Sequence, residues 1–167
     1  ERFGIEGAVI SAVDLVRGIG ALAGLEIIRV PGATGLADTN YEGKAAAALA
    51  ALERVDFVYV HVEAPDEASH DGDTALKIRC LEDFDQRLLT PFLHGIAHAP
   101  VVVAVLPDHA TPLAVRGHTS EPVPFAMTGP GIIPDGVTQF SEQACAAGAF
   151  GIVEGPRFVS HLFHRDT

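Results

Sequence analysis

The sequence has 167 residues, of which 48% are hydrophobic and 20% charged, and its formal net charge is −11 at pH 7. This composition is typical of one folded domain with a sizeable core, and no apolar run approaches the ~20 residues of a membrane span. The acidic balance excludes nucleic acid and anionic membranes as expected partners, because both require a basic face.

The first half of the chain alternates between two kinds of segment. Three runs are short, apolar and rich in β-branched or aromatic residues, which predicts strands at residues 7–11, 25–30 and 56–62. Two runs have helical spacing or a high alanine content, which predicts helices at residues 12–24 and 41–54. Gly24 is a suitable end for the first helix.

The second half continues the alternation. Helical spacing is found in residues 74–93, 141–150 and 155–163. The continuous apolar run 100–106 predicts a strand buried on both faces, and residues 123–129 predict a further strand. The whole pattern predicts an α/β fold, with a mostly parallel sheet and helices on both of its faces.

The stretch "EAPDEASHDGD", residues 63–73, is predicted to be a loop that contains five carboxylates and one histidine. Such crowding has two interpretations, a solvated loop or a group of ligands around a metal ion. His61 and Glu63, at the start of this region, also have two interpretations. They are either partners that orient metal ligands or structural polar residues, and the structural interpretation is favoured.

Asp and His residues follow two predicted central strands, where parallel sheets bind their ligands. Asp66 and His70 come after the strand at 56–62, and Asp108 and His109 after the strand at 100–106, with His118 just beyond. Carboxylate oxygens and imidazole nitrogens suit Mn²⁺, Zn²⁺ or iron. Each motif alone is more often part of a solvated loop, so the metal interpretation depends on their joint occurrence.

Three stretches carry a resemblance to a known family: "HVEAPDEASHDGD", "PDHATPLAVRGHTSEPVPF" and "VPGATGLADTNYEGKA". They resemble the archaeal type of cofactor-independent phosphoglycerate mutases, in the alkaline phosphatase superfamily. The resemblance extends over essentially the whole chain. One small departure is Glu121, where the family pattern has Asp before "PVP".

The resemblance implies a cytoplasmic glycolytic isomerase that interconverts 3-phosphoglycerate and 2-phosphoglycerate through a phosphoserine. It also implies two divalent metal ions, Mn²⁺ or Zn²⁺, that activate the serine and hold the phosphoryl group. Matched by motif, one ion would be bound by Asp66, His70 and His118. The other would be bound by Asp108 and His109.

The resemblance covers only the carboxyl-terminal part of such an enzyme. Residues 1–167 are therefore expected to be part of one metal-dependent phosphatase or mutase domain. The nucleophilic serine, an early Asp and a capping domain with substrate-binding arginines are expected in a missing amino-terminal part. Ser11, Ser69 and Ser120 do not match the family's nucleophile. We expect the chain alone to be inactive and to expose a surface that pairs with the missing part or with a second copy.

Two alternatives remain open at this point. The same scaffold and ligands also serve phosphatases, phosphonate hydrolases and sulfatases, and fold alone does not separate these activities. A non-catalytic metal-binding domain is the second alternative. The stretches specific to the mutase branch favour the mutase.

Overall fold

The computed structural model describes residues 4–163. Within this part, the chain forms two compact units. Of the described residues, the first unit contains 4–97 and 113–117, and the second contains 98–112 and 118–163.

The first unit contains a three-stranded sheet and most of the helices. Its elements are β1 (Gly7–Ile10), α1 (Asp14–Leu22), β2 (Glu26–Ile28), α2 (Tyr41–Leu52), β3 (Phe57–Val60), α3 (Ala64–Asp71), α4 (Thr74–Asp83), a π-helical turn (Phe84–Leu89) and α5 (Thr90–Gly95).

The sheet of the first unit has the order β2-β1-β3, and both pairings are parallel. Ala8 and Val9 of β1 point to opposite faces and are 0% and 1% exposed, so both faces of the central strand are covered. Gly20 allows α1 to approach β1 closely, because a Cβ atom there would lie 2.5 Å from Val9 Cγ1. The predicted α/β class with a parallel sheet is confirmed.

Helix α2 has one buried face in spite of its uniform composition. The Asn40 side chain caps it by accepting a hydrogen bond from Gly43 N at 2.8 Å. The buried positions follow helical spacing: Tyr41, Lys44, Ala45, Ala48 and Ala51. Tyr41 and Ala45 pack with Leu88 in the core of this unit.

The predicted loop at residues 63–73 is wrong, because residues 64–71 form helix α3. Pro65 stands in the first turn, where its missing N–H costs no hydrogen bond. Acidic residues in the first turn and His70 in the last complement the helix dipole. Gly72, with φ of 73°, ends the helix in the left-handed conformation.

The helix predicted at residues 74–93 is confirmed, with one irregularity. Asp73 caps its start by accepting a hydrogen bond from Leu76 N at 2.9 Å. It runs through α4, the π-helical turn and α5, and ends at Gly95.

The second unit contains β4 (Val103–Val105), β5 (Ala126–Thr128), α6 (Glu142–Cys145) and α7 (Gly155–Leu162). The expectation that β4 is buried on both faces is wrong. Among the described residues of this unit, β4 pairs with β5 alone, antiparallel and over three residue pairs, and its residues are half-buried. The helix predicted at 141–150 also shortens to α6, because turns at Gly148 and Gly151 follow it.

Apolar side chains are exposed along one helix of the first unit. Leu15, Ile19 and Leu22 of α1 are 71%, 59% and 92% exposed. Their spacing places them on one face of the helix. Among the described residues, no helix is both long enough and apolar enough to cross a membrane.

Candidate metal centre

Helix α3 brings Asp66 and His70 together in the first unit. The two residues are four apart, so they share one face of the helix. Asp66 Oδ2 lies 3.2 Å from His70 Nε2, and both side chains are partly exposed. Because zinc–oxygen and zinc–nitrogen bonds are about 2.0–2.2 Å long, two atoms at this separation can bind one ion.

The hydrogen bond at Nδ1 of His70 determines the tautomer and the orientation of the ring. His70 Nδ1 lies 3.0 Å from the carbonyl oxygen of Arg116, which can only accept a hydrogen bond. Nδ1 must therefore carry a proton, and in the neutral ring Nε2 is the nitrogen with the lone pair. Histidine ligands of metals usually have such a partner on the nitrogen that does not bind the ion.

Arg116, which provides this carbonyl, has an unusual backbone conformation. Its φ is 55°, and Arg116 is the one described non-glycine residue with a positive φ. A left-handed conformation is unfavourable for a residue with a Cβ atom. The guanidinium of Arg116 fills the space beside Gly72, where an added Cβ atom would clash with it. Gly72 thus ends α3 and also leaves room for the side chain of Arg116.

The second unit brings Asp108, His109 and His118 together. The ring centroids of His109 and His118 are 3.7 Å apart, and His109 Nε2 is 3.6 Å from Asp108 Oδ1. A single β-bridge explains the pairing of the rings. Thr119 N donates to Ala110 O at 2.9 Å, so the residues before and after the intervening loop lie side by side.

A buried threonine supports His109. His109 Nδ1 lies 3.1 Å from Thr111 Oγ1, and Thr111 is 7% exposed. This contact holds Nδ1 in a hydrogen bond and turns Nε2 toward Asp108. The two Asp–His pairs therefore have the same arrangement. In each, the histidine Nδ1 is hydrogen-bonded within the protein and Nε2 lies beside the carboxylate.

The structure places all five predicted ligands in two groups, Asp66 with His70 and Asp108 with His109 and His118. The assignment of His118 to the same ion as Asp66 and His70 stays a prediction, as does the number of ions. The oxygen and nitrogen donors fit a divalent ion such as Mn²⁺ or Zn²⁺.

Sequence reasoning missed the residues that support the ligands, namely Thr111, the Arg116 carbonyl and the buried Lys44 discussed below. For Lys44 a signal was present. In the stretch "YEGKAAAALAAL" it is the one lysine, and it is three residues after Tyr41 and four before Ala48, on the apolar face. No sequence pattern identifies a backbone carbonyl such as that of Arg116 as a histidine partner.

Asp66 and His70 follow a strand of a parallel α/β sheet, at the edge where such sheets bind their ligands. Their oxygen and nitrogen donors are typical of a site for a divalent metal ion. The chain belongs to the metalloenzyme superfamily, whose sequence profile matches residues 1–164. Membership in this superfamily implies dependence on divalent metal.

Similar proteins extend this result. The 2,3-bisphosphoglycerate-independent phosphoglycerate mutase of Methanothrix thermoacetophila is 52% identical over 157 residues, which are 93% of this chain and 40% of that protein. The corresponding mutase of Methanosarcina acetivorans is 50% identical over 97% of this chain and 42% of its own length. The chain thus spans about two fifths of these relatives, and the resemblance seen in the motifs is confirmed.

Two solved structures share the fold. The PH0037 protein of Pyrococcus horikoshii superimposes with a TM-score of 0.90 at 31% identity, over 99% of this chain and 51% of that one. The cofactor-independent phosphoglycerate mutase of Thermoplasma acidophilum gives a TM-score of 0.68 at 22% identity, over 98% of this chain and 37% of that one. The second likeness is evidence for the fold alone.

Proposed function

We propose that the complete gene product is a 2,3-bisphosphoglycerate-independent phosphoglycerate mutase, and that this chain supplies metal ligands for it. The observation that carries the proposal is the 52% identity, over 93% of this chain, to a protein of that name. The two Asp–His pairs support it, because they are donors that suit the divalent ions of phosphoryl-transfer enzymes. The proposed reaction interconverts 3-phosphoglycerate and 2-phosphoglycerate.

In this proposal Asp66, His70 and His118 bind one ion, and Asp108 and His109 bind a second. Chain connectivity supports the first group, since Arg116, whose carbonyl binds His70, stands only two residues before His118. When bound, the ions neutralise charge on the phosphoryl group and make a serine hydroxyl a better nucleophile. The protein's own part is to hold the imidazoles of His70 and His109 by their Nδ1 atoms, which leaves Nε2 available to an ion.

We place the nucleophilic serine in a segment outside this chain. Ser11 and Ser69 are 4% and 0% exposed, so no substrate can reach them, and Ser120 is exposed but does not match the family's nucleophile. Ser69 Oγ also donates to Pro65 O at 2.8 Å and accepts from Lys77 Nζ at 2.6 Å. We therefore expect the chain alone to have no mutase turnover and to act as a carboxyl-terminal part of the enzyme.

The same proposal includes a cytoplasmic enzyme of glycolysis with Mn²⁺ or Zn²⁺ as its metal. The exposed leucines and isoleucine on α1 support a contact with the remainder of the protein or with a second copy. We include both the remainder of the protein and a second copy as proposed partners of this face.

The experiment that tests the function is a substrate panel with the complete gene product and added Mn²⁺. We expect 3-phosphoglycerate to be converted to 2-phosphoglycerate faster than any phosphate or sulfate ester in the panel is hydrolysed. Asp66→Ala is expected to lower turnover at least about 100-fold, because an ion loses one of its ligands. Hydrolysis of a phosphomonoester, phosphonate or sulfate ester without isomerisation would contradict the proposal and favour a hydrolase of the same superfamily.

A further inference from the structure

Four side chains form a polar network behind α3: Ser11, Lys44, His61 and Glu63. Ser11 follows β1 and His61 follows β3, so both lie at the carboxyl end of neighbouring parallel strands. Ser11 Oγ is 3.3 Å from His61 Nδ1, and His61 Nε2 is 3.4 Å from Glu63 Oε2. The Lys44 amine donates to the carbonyl oxygen of His61 at 2.9 Å.

This network resembles a nucleophile, base and acid arrangement, but its burial gives it a different role. Ser11 is 4% exposed and His61 9% exposed. Ser11 Oγ accepts a hydrogen bond from Val13 N at 3.0 Å and still has a proton that it can donate to His61 Nδ1. His61 can then donate from Nε2 to Glu63. The hydrogen bonds fix the orientation of the ring and offer no reactive group to a substrate.

Lys44 is the costly member of the network. It is 0% exposed, and burial lowers the pKa of its amine to about 8, although the Glu63 carboxylate partly opposes that effect. Replacing a buried charged residue with an apolar one of similar volume is often neutral or stabilising. Stability alone therefore does not account for a lysine at this position.

The contact made by Lys44 indicates what the residue does. His61 is the first residue after β3, and Glu63 precedes α3. The carbonyl of Glu63 accepts from Asp66 N at 2.8 Å and from Glu67 N at 3.2 Å, so Glu63 forms the start of the helix. Lys44 donates a hydrogen bond to the carbonyl of His61 and interacts electrostatically with Glu63. It therefore holds both ends of the short connection between β3 and α3.

We propose that Lys44 is a positioning residue for the metal centre, and that it holds the connection between β3 and α3 so that Asp66 and His70 are preset for the ion. The proposal rests on the metal binding that the proposed function requires. Since Lys44 does not touch the ligands, its effect is on their position. Groups that orient metal ligands change metal affinity about 10–100-fold when they are removed.

The test is a calorimetric Mn²⁺ titration of the metal-stripped complete gene product, as wild type and as Lys44→Met. We expect the Kd for Mn²⁺ to rise about tenfold in the variant, while the Tm of the metal-free protein is not lowered. Saturating Mn²⁺ is expected to restore the turnover of Lys44→Met, which a merely damaged core would not allow. A Kd within twofold of wild type would overturn the proposal.

Ala48→Gly serves as the matched control, because Ala48 lies one turn further along the same buried face of α2. We expect it to lower the Tm and leave the Kd unchanged. If Lys44→Met does not fold, Ser11→Ala decides the question. It removes the hydroxyl beside His61, and a Kd raised about threefold supports the role of the network, whereas an unchanged Kd overturns it.

The outcomes separate this proposal from the proposed function. A wild-type protein that binds Mn²⁺ but does not isomerise phosphoglycerate contradicts the mutase and leaves the role of Lys44 to be judged by the Kd. An unchanged Kd in Lys44→Met contradicts the role of Lys44 and leaves the mutase intact. A wild-type protein that binds no Mn²⁺ overturns both.

Discussion

The two Asp–His pairs have the same chemistry but are held by different kinds of structure. Asp66 and His70 stand on a regular helix that follows β3, a half-buried strand, with the buried Lys44 behind it. Asp108 and His109 stand on an irregular segment that is joined to the rest of its unit by a β-bridge at Ala110. The comparison teaches that helical spacing brings the Asp and His side chains together in the first unit, whereas individual hydrogen bonds do so in the second.

The largest expected effect concerns the buried amine of Lys44 in the first unit. With a pKa near 8 in the folded protein and 10.5 when exposed, Lys44 binds fewer protons in the folded state than in the unfolded state between these pH values. The free energy of unfolding should therefore rise with pH across this window, by up to about 3 kcal/mol from this residue. Denaturant unfolding at pH 7 and pH 10.5 measures the change.

The matched comparison for this effect is Lys44→Met. Its free energy of unfolding should lack the rise that wild type shows above pH 8. Equal pH dependence in the two proteins would mean that the Lys44 amine is not held in a desolvated site.

The next effect compares the two sheets directly. Residues 8–10 of β1 are at most 1% exposed, whereas the residues of β5 are half-buried or exposed. We expect the hydrogen-bonded amides of β1 to exchange with solvent at least about 30-fold more slowly, which is about 2 kcal/mol in opening free energy. Hydrogen exchange followed by mass spectrometry measures this. Equal protection of β1 and β5 would contradict the contrast between the units.

A smaller effect is expected from the hydrogen bond that supports His109. Thr111→Val keeps the shape of the side chain and removes the hydroxyl beside His109 Nδ1. We expect about a tenfold loss of affinity for one ion, close to 1.4 kcal/mol. Thr128→Val, at an exposed position of β5, is the control and should bind metal as wild type does. If both variants bind alike, Thr111 does not orient the ligand.

Much of the first unit could be predicted from the sequence, because local patterns agree there with the tertiary structure. The alternation of β-branched and alanine-rich segments predicts β1, α2 and β3. The exception is α3, which is predicted from the sequence as a loop with crowded charges, although Pro65 and Gly72 mark the start and end of a short helix.

The second unit was harder to predict, since its structure depends on contacts that are not local. The apolar run at residues 100–106 forms only the three residues of β4, because its pairing depends on β5, more than twenty residues later. The five candidate ligands could be proposed from the sequence because their side-chain types are distinctive. Their supports could not, since Arg116 acts through its backbone and Thr111 through a contact within an irregular loop.

The measurement that tests the central claim most directly is the Mn²⁺ stoichiometry of the complete gene product, determined by calorimetric titration of wild type, Asp66→Ala and His109→Ala. Glu82→Gln is the control, because Glu82 is an exposed carboxylate on α4 and is not in a group that could hold a metal ion with Asp66. The account predicts two ions in wild type and in the control, and one fewer in each of the other variants. Variants that titrate like wild type, or a control that loses an ion as Asp66→Ala does, would contradict it.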